Sequence, residues 1–323
     1  MRPALLALAL SCVAAPVASQ DIALSLPIDC DLGRDCFIQQ YKDRDPGDDA
    51  RDYTCNGLSY DGHSGTDFAL PTRRDIARDV QVIAAAPGTV INIRDGMRDR
   101  VYRPENGGRG GNRACGNGVL IDHGGGWETQ YCHLKRGSLR VEPGQAVARG
   151  AVLGTVGISG RAEFPHVHLT VRKNGEAIDP FRPSDAQSCG GPAKRTLWQT
   201  TPPYRPGGLI DVGSAANIPE YDAVRAGTAT QATLQPDADA IVVFGFAFGG
   251  RPGDQIRIEI SGPGGVLTDQ TLPVDRKQAQ FFRAAGLRRS TPAWPEGRYV
   301  GAVTFIRDGK GIERQTTGFR VAQ

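Results

Sequence analysis

The sequence predicts a mainly β protein, with an antiparallel β-sheet core followed by a C-terminal β-sandwich-like domain. Three observations carry that expectation. Glycine supplies 42 of 323 residues and proline 22, well above the usual glycine share of about 7%, so the chain is rich in turns. Between the turns lie short apolar or alternating runs of strand length, and no stretch of the core sustains a helical period. Hydrophobic residues make up 39% and charged residues 23%, which excludes a disordered tail or a coiled coil. The length itself points to two domains, since one domain runs to ~150 residues.

Residues 1–20 read as an export signal. Arg2 precedes an apolar run from Ala4 to Val13, and small residues with Pro16 lead to Val17-Ala18-Ser19-Gln20. The run is shorter than the ~20 residues of a membrane-spanning helix. Cleavage near residues 18–20 discards Cys12 and leaves Cys30, Cys36, Cys55, Cys115, Cys132 and Cys189. A lipid anchor on Cys12 is the competing fate, and Ala9 in place of leucine three residues earlier argues against it. An even cysteine set in an exported chain implies up to three disulfides and a periplasmic or secreted location.

Residues 21–58 hold three of these cysteines among charged residues, including the acidic stretch 43–52. They read as a disulfide-clipped segment, closed by Cys30–Cys36, and not as an independent domain. Residues 59–182 form the expected β-core, with strands at 80–86, 88–93, 118–122, 128–132, 151–156 and 166–171. Asp122-His123-Gly124-Gly125-Gly126 reads as a hairpin turn with His123 solvated. Residues 183–235 carry Pro183, Pro192, Pro202, Pro203 and Pro206 and little pattern, as a linker or surface meander does.

Alternation returns in 236–323. Ile256, Ile258 and Ile260 face one way and Arg257 and Glu259 the other, as in a half-buried strand. Further strands are expected at 241–248, 266–272, 280–283, 298–306 and 318–321, the spacing of a small sandwich. This part carries no chemical motif. Glycan binding, docking of a protein partner and capping of the core are all open to it. A formal charge of +3 is too small to argue for a nucleic-acid partner.

Chemistry concentrates in the histidines. There are five, none beyond position 168. His63-Ser64-Gly65-Thr66-Asp67 places an imidazole and a carboxylate four residues apart, in a bent loop that runs into a strand at Phe68. His166-Val167-His168 places two imidazoles at i and i+2, on one face of a strand. His133 ends the run 128–132. Zinc takes nitrogen and oxygen donors in a tetrahedron, and a catalytic site keeps one position for water. Two histidines and a carboxylate meet that need, and two histidines remain to handle protons.

These blocks, in order, resemble the lysostaphin/LytM-type zinc metallopeptidases, which cut peptide cross-links in bacterial peptidoglycan. The match runs through H-x-G-x-D at His63 to Asp67, Gly116-Asn117-Gly118-Val119-Leu120-Ile121-Asp122-His123-Gly124, and Tyr131-Cys132-His133-Leu134. It continues through Val141, Gly144, Val147, Gly150, Gly154 and Gly157, then His166-Val167-His168 and Asp179-Pro180. The resemblance implies one Zn2+ per chain on His63, Asp67 and His168. His133 and His166 become the catalytic pair beside a zinc-activated water, their two roles undivided. The resemblance further implies a hydrolase, a zinc metalloendopeptidase of a duplicated-hybrid-motif β-fold, with a peptidoglycan peptide as substrate.

The chain departs from the family where Gly160-Arg161-Ala162-Glu163-Phe164-Pro165 precedes the second histidine pair and Leu169-Thr170 follows it. An insertion at 94–115, with Pro104, Arg109 and Arg113, reads as a flexible loop at the cleft rim. No H-E-x-x-H occurs in the sequence, which excludes a glutamate-based zincin. Cys132 beside His133 does not make a cysteine protease, because consecutive strand residues point to opposite faces. A disulfide, with Cys115, is the better use, leaving Cys55–Cys189 to tie the ends of the core. Fifteen connectivities are open to six cysteines. The rival function is a non-enzymatic cell-wall-binding or amidase-activating module, although such relatives typically lack ligands that this chain keeps. Lying directly before His63, the segment 21–58 is also placed to cover the cleft.

Overall fold

The computed structural model describes residues 21–103, 113–184, 189–190 and 195–323. The expected export signal, with Cys12, lies outside the described residues, as do Pro104 and Arg109 of the insertion and Pro192 of the expected linker.

One eight-stranded sheet organises the N-terminal part. Its strands are β1 (Phe37–Gln40), β2 (Thr66–Ala69), β4 (Gly88–Arg94), β5 (Asn117–Asp122), β6 (Trp127–Leu134), β7 (Ala146–Val147), β9 (His166–Lys173) and β10 (Glu176–Ile178). β3 (Gln81–Ile83) and β8 (Val152–Thr155) pair separately. The sheet order is β1-β2-β9-β6-β5-β4-β7, with β10 also on β9, and every pairing in it is antiparallel. β5 and β6 form the expected hairpin. Gly124, Gly125 and Gly126 in its turn all have positive φ, which residues with a Cβ adopt only at a cost.

Residues 21–58 are part of this core and not an appendage on it. β1 extends the sheet beyond β2. Leu24, Ile28, Phe37, Ile38 and Tyr41 are all buried in the same apolar cluster as Phe68, Tyr131 and Val167. The Cys30–Cys36 clip is present, together with Cys55–Cys189 and Cys115–Cys132. Polar Gln39 and Gln40 interrupt the apolar pattern of β1, which is why the strand is hard to see in the sequence. Both are nonetheless buried, and Gln39 Nε2 donates to the Ala279 carbonyl of the C-terminal part at 2.8 Å.

The C-terminal part is two packed sheets. One is β11 (Gly208–Ala215), β13 (Ala240–Gly250) and β16 (Gln278–Arg288). The other joins β12 (Thr233–Leu234), β14 (Gln255–Gly262), β15 (Gly265–Pro273), β17 (Gly297–Arg307) and β18 (Lys310–Val321). Ile256, Ile258 and Ile260 are fully buried, as the alternation predicts. They share a core with Ile241, Val243, Phe281 and Phe305, and Phe281 meets Phe305 edge-on across the two sheets.

Here the sequence reading of 183–235 needs correction. The stretch supplies β11, a short helix α1 (Tyr221–Ala226) and β12, so its second half, from Gly208 on, belongs to the sandwich. β11 is built largely from Gly213, Ser214 and Ala215 beside Leu209 and Val212, and its register slips between Leu209 and Asp211. Small residues and a slip erase the two-residue period that marks a strand.

The described start of the insertion after β4, residues 95–99, is tied to the core. Met97 exchanges two hydrogen bonds with the Asn117 side chain, each 2.8 Å. Asp99 accepts from the Arg136 and Ile158 amides, and Asp95 accepts from the Gly137 amide.

Candidate active site

Strand register brings the first three residues together. β2 pairs with β9 so that Asp67 stands opposite His168 and Ala69 opposite His166. Residues directly opposite on an antiparallel pair share a face, and so do i and i+2 on one strand. Asp67, His166 and His168 therefore point into the same cleft. His63, on the loop before β2, closes the group. Its Nε2 lies 3.2 Å from Asp67 Oδ1 and 3.1 Å from His168 Nδ1, and His168 Nδ1 lies 2.8 Å from Asp67 Oδ1.

His133 arrives by a different device. Asn117 pairs with Leu134 and Val119 with Tyr131, so Gly118 alone stands against both Cys132 and His133, the two-against-one count of a β-bulge. His133 adopts a left-handed backbone with φ of 66°. This breaks the strand alternation and brings its ring to 4.6 Å from that of His166 and 6.0 Å from that of His168. The bulge is pinned by the Cys115–Cys132 disulfide and by the His133 amide donating to the Cys115 carbonyl at 2.8 Å. At Gly118 a Cβ would come within 2.4 Å of the Tyr131 carbonyl oxygen, so glycine is required there.

The outer nitrogens of these rings are anchored. His63 Nδ1 donates to the Tyr41 carbonyl at 2.7 Å, His133 Nδ1 to the Ser159 carbonyl at 2.8 Å and His166 Nδ1 to the Phe164 carbonyl at 2.9 Å. A carbonyl only accepts, so each Nδ1 carries the proton and each neutral ring offers Nε2 as an acceptor. His168 is oriented through Nε2, 2.9 Å from Thr170 Oγ1. Each orienting partner fixes how its ring faces the cluster, as outer-sphere hydrogen bonds do in metal sites.

Burial dominates the electrostatics. Of the five side chains, His63, Asp67, His133 and His166 are buried, and His168 is 12% exposed. Burial, then repulsion from His166 and His168, holds His133 well below the usual imidazole range. Burial lowers His166 as well, with Asp67 and the Phe164 carbonyl opposing it. Burial alone would raise the Asp67 carboxyl, but His63, His166 and the hydrogen bonds from His168 and His63 hold it well below the ordinary carboxylate range. Burial pulls His63 down, but Asp67, the Tyr41 carbonyl and Asp43 together outweigh it, so its net shift is upward.

His63, Asp67 and His168 offer ligand atoms that all lie within 4.8 Å of one another. A tetrahedral ion with bonds of ~2.0–2.2 Å spaces its ligands by about 3.3 Å. The observed separations of 2.8–3.2 Å fit that size. The donor set also fits a cation chemically, because a carboxylate and the His63 Nε2 lone pair face one another here. The three residues form a group that can hold a metal ion.

The fifth histidine corrects an expectation. His123 is not a free turn residue. It is half-buried, with Nδ1 2.7 Å from the Pro87 carbonyl and Nε2 2.7 Å from Thr129 Oγ1, and it locks the hairpin to the start of β4. Sequence reasoning missed Tyr60, whose half-exposed ring lies 4.5 Å from that of His63 at the mouth of the site. It also missed the carbonyls of Tyr41, Ser159 and Phe164. Backbone acceptors leave no mark in residue identity. For Tyr60 the only signal was an aromatic close before the H-x-G-x-D block.

The buried His/Asp/His group supplies three ligand atoms, the number a catalytic zinc site uses, with two further imidazoles beside it. Residues 61–180 match the model of peptidase family M23. Over 132 residues the chain is 29% identical to peptidoglycan DD-endopeptidase ShyA of Vibrio cholerae serotype O1, covering 41% of this chain and 25% of that protein. Over 118 residues it is 32% identical to DD-carboxypeptidase/endopeptidase Mpg of Neisseria meningitidis serogroup B, covering 36% of this chain and 22% of the relative. The match thus spans about a quarter of the length of these curated relatives. Among solved structures, the catalytic domain of the prophage-encoded M23 protein EnpA from Enterococcus faecalis aligns with a TM-score of 0.34 and 23% identity, covering 51% of this chain and 98% of that one.

Proposed function

We propose that the chain is an exported zinc metalloendopeptidase that hydrolyses peptide cross-links of bacterial peptidoglycan. The observation that carries this is the convergence of His63, Asp67 and His168 on one another with His133 and His166 alongside. Relatives named for peptidoglycan endopeptidase activity support the substrate class. Three disulfides support an oxidising compartment. Among the described residues no helix is long and apolar enough to cross a membrane.

In this reading His63, Asp67 and His168 hold the ion. Bound zinc supplies Lewis acidity and lowers the pKa of a coordinated water towards ~7. His133 and His166 keep Nδ1 as donors to backbone carbonyls, which leaves Nε2 of each as the proton-accepting atom. Burial keeps both rings neutral, the state a general base needs. One ring takes a proton from the attacking water at Nε2; a ring stabilises the oxyanion on the scissile carbonyl only once its own Nε2 carries a proton to donate.

The test is purified protein on isolated sacculi, with products read by mass spectrometry. We expect about one zinc per chain, lysis abolished by chelator, and products cleaved at peptide bonds. His63→Ala and Asp67→Ala should lose the metal. His133→Ala should keep it and lose ~10²–10⁴-fold in rate. Undiminished lysis by metal-free protein overturns the reading, and lysis only in the presence of a separate hydrolase favours the activating module.

A further inference from the structure

The first histidine of the cluster is held from outside the family-matched segment. Residues 61–180 match the family, yet the loop carrying His63 is clamped by residues 41–43. The Tyr41 amide donates to the Leu58 carbonyl and the Asp43 amide to the His63 carbonyl, each at 2.8 Å. The Tyr41 carbonyl accepts His63 Nδ1 at 2.7 Å and Ser59 Oγ at 2.8 Å. The Asp43 carboxylate, 7% exposed, finishes the clamp. Its Oδ2 accepts the Gly62 amide at 3.0 Å, while Oδ1 accepts the amides of Asp45 and Arg51 at 3.0 and 3.1 Å.

The clamp is anchored at both ends. Tyr41 sits in an aromatic cluster with Tyr53, Phe181 and Tyr204, at ring separations of 5.1–5.4 Å. Next to Asp43, Arg44 pairs with Asp179 at 3.1 Å, both side chains almost fully buried.

We propose that Asp43 is a positioning residue for His63: by gripping the backbone on both sides of residue 62, it aims the His63 Nε2 at Asp67 and His168. The segment 21–58 thereby supports the metal centre of this chain. Hydrogen bonds outside the ligand set orient the ligands of a metal site, and here the Asp43 carboxylate does so through the backbone that carries His63. The proposal rests on His63 being a ligand.

The test is the full chain, with zinc affinity measured by competition against a chromophoric chelator and the His63 tautomer read by long-range proton–nitrogen NMR of the metal-free protein. In Asp43→Asn one acceptor oxygen becomes a donor and the charge is lost. We expect a ~10–100-fold weaker zinc affinity and loss of the single Nδ1–H tautomer of His63. Tyr204→Phe is the control. It removes the 2.7 Å hydrogen bond from Tyr204 to Asp52 and touches neither residue 62 nor 63, so it should lower stability and leave zinc affinity unchanged.

Wild-type zinc affinity in folded Asp43→Asn overturns the proposal, and so does an equal loss of affinity in Tyr204→Phe. If Asp43→Asn does not fold, Asp43→Glu takes its place. That variant keeps charge and acceptors but displaces them by one methylene, and wild-type affinity there overturns the proposal equally. Failure of the wild-type chain to bind zinc sinks the underlying reading, an outcome distinct from both.

Discussion

Single histidines in this protein differ in what their second nitrogen does. His63, His133 and His166 each spend Nδ1 on a backbone carbonyl, which leaves Nε2 for chemistry. His123 spends both nitrogens on structure, on the Pro87 carbonyl and Thr129 Oγ1. Burial, the largest influence, keeps His123 below the ordinary imidazole value, with Pro87 and Asp122 opposing. The folded state therefore resists the proton that the unfolded chain accepts. Folding stability from this group is full above the unfolded pKa of ~6.5 and declines as the pH falls through it. His123→Gln should flatten the fall in melting temperature between about pH 7 and pH 5. Thermal unfolding of both proteins across that range checks it, and parallel curves would show that His123 does not contribute.

At the scale of elements, the active face depends on one regular strand and one irregular one. β9 is regular, so His166-Val167-His168 could be placed on one face from spacing alone. β6 is not. Its bulge at Cys132 and His133 is what turns His133 towards His166, and alternation applied to the sequence sends it the other way. Gly118 makes the bulge possible by lying against the Tyr131 carbonyl. Gly118→Ala should lower stability by ~1–3 kcal/mol through overpacking and reduce turnover further than that loss explains, since His133 moves with the bulge. Urea unfolding and steady-state turnover on sacculi, measured on the same preparation, separate the two effects. A stable variant with full turnover would mean that the bulge tolerates a methyl group.

The whole molecule is tied together across large sequence distances. Cys55–Cys189 closes 134 residues around the core. β1 joins the two parts, with Phe37 against Phe248 at 4.7 Å and the Gln39 amide between Ala279 and Gln280. Arg73 also reaches across to Asp222, at 2.9 Å. In the chain-entropy account a loop of this length adds up to ~5 kcal/mol of stability, and measured values for native disulfides run at ~2–5 kcal/mol. The double variant Cys55→Ser/Cys189→Ser should lose stability in that range in denaturant titration. Because Cys55 belongs to the segment that clamps His63, it should lose zinc affinity as well. An unchanged unfolding midpoint would show that the noncovalent contacts alone close the core.

Strand runs, glycine turns, cysteine parity and the order of the histidine blocks are all local, and local patterns are written directly in residue identity. They suffice for the β class, the hairpin at 123–126 and the Ile256, Ile258 and Ile260 face of the sandwich. They suffice also for the five side chains proposed to carry the chemistry. The tertiary structure alone decides how those side chains are held. The Tyr41 carbonyl on His63, the bulge that re-aims His133, the strand hidden in 208–215 and the pairing of β1 with β2 have no side-chain signature. Each arises where backbone from distant parts of the chain meets, and a backbone amide or carbonyl is the same group at every position.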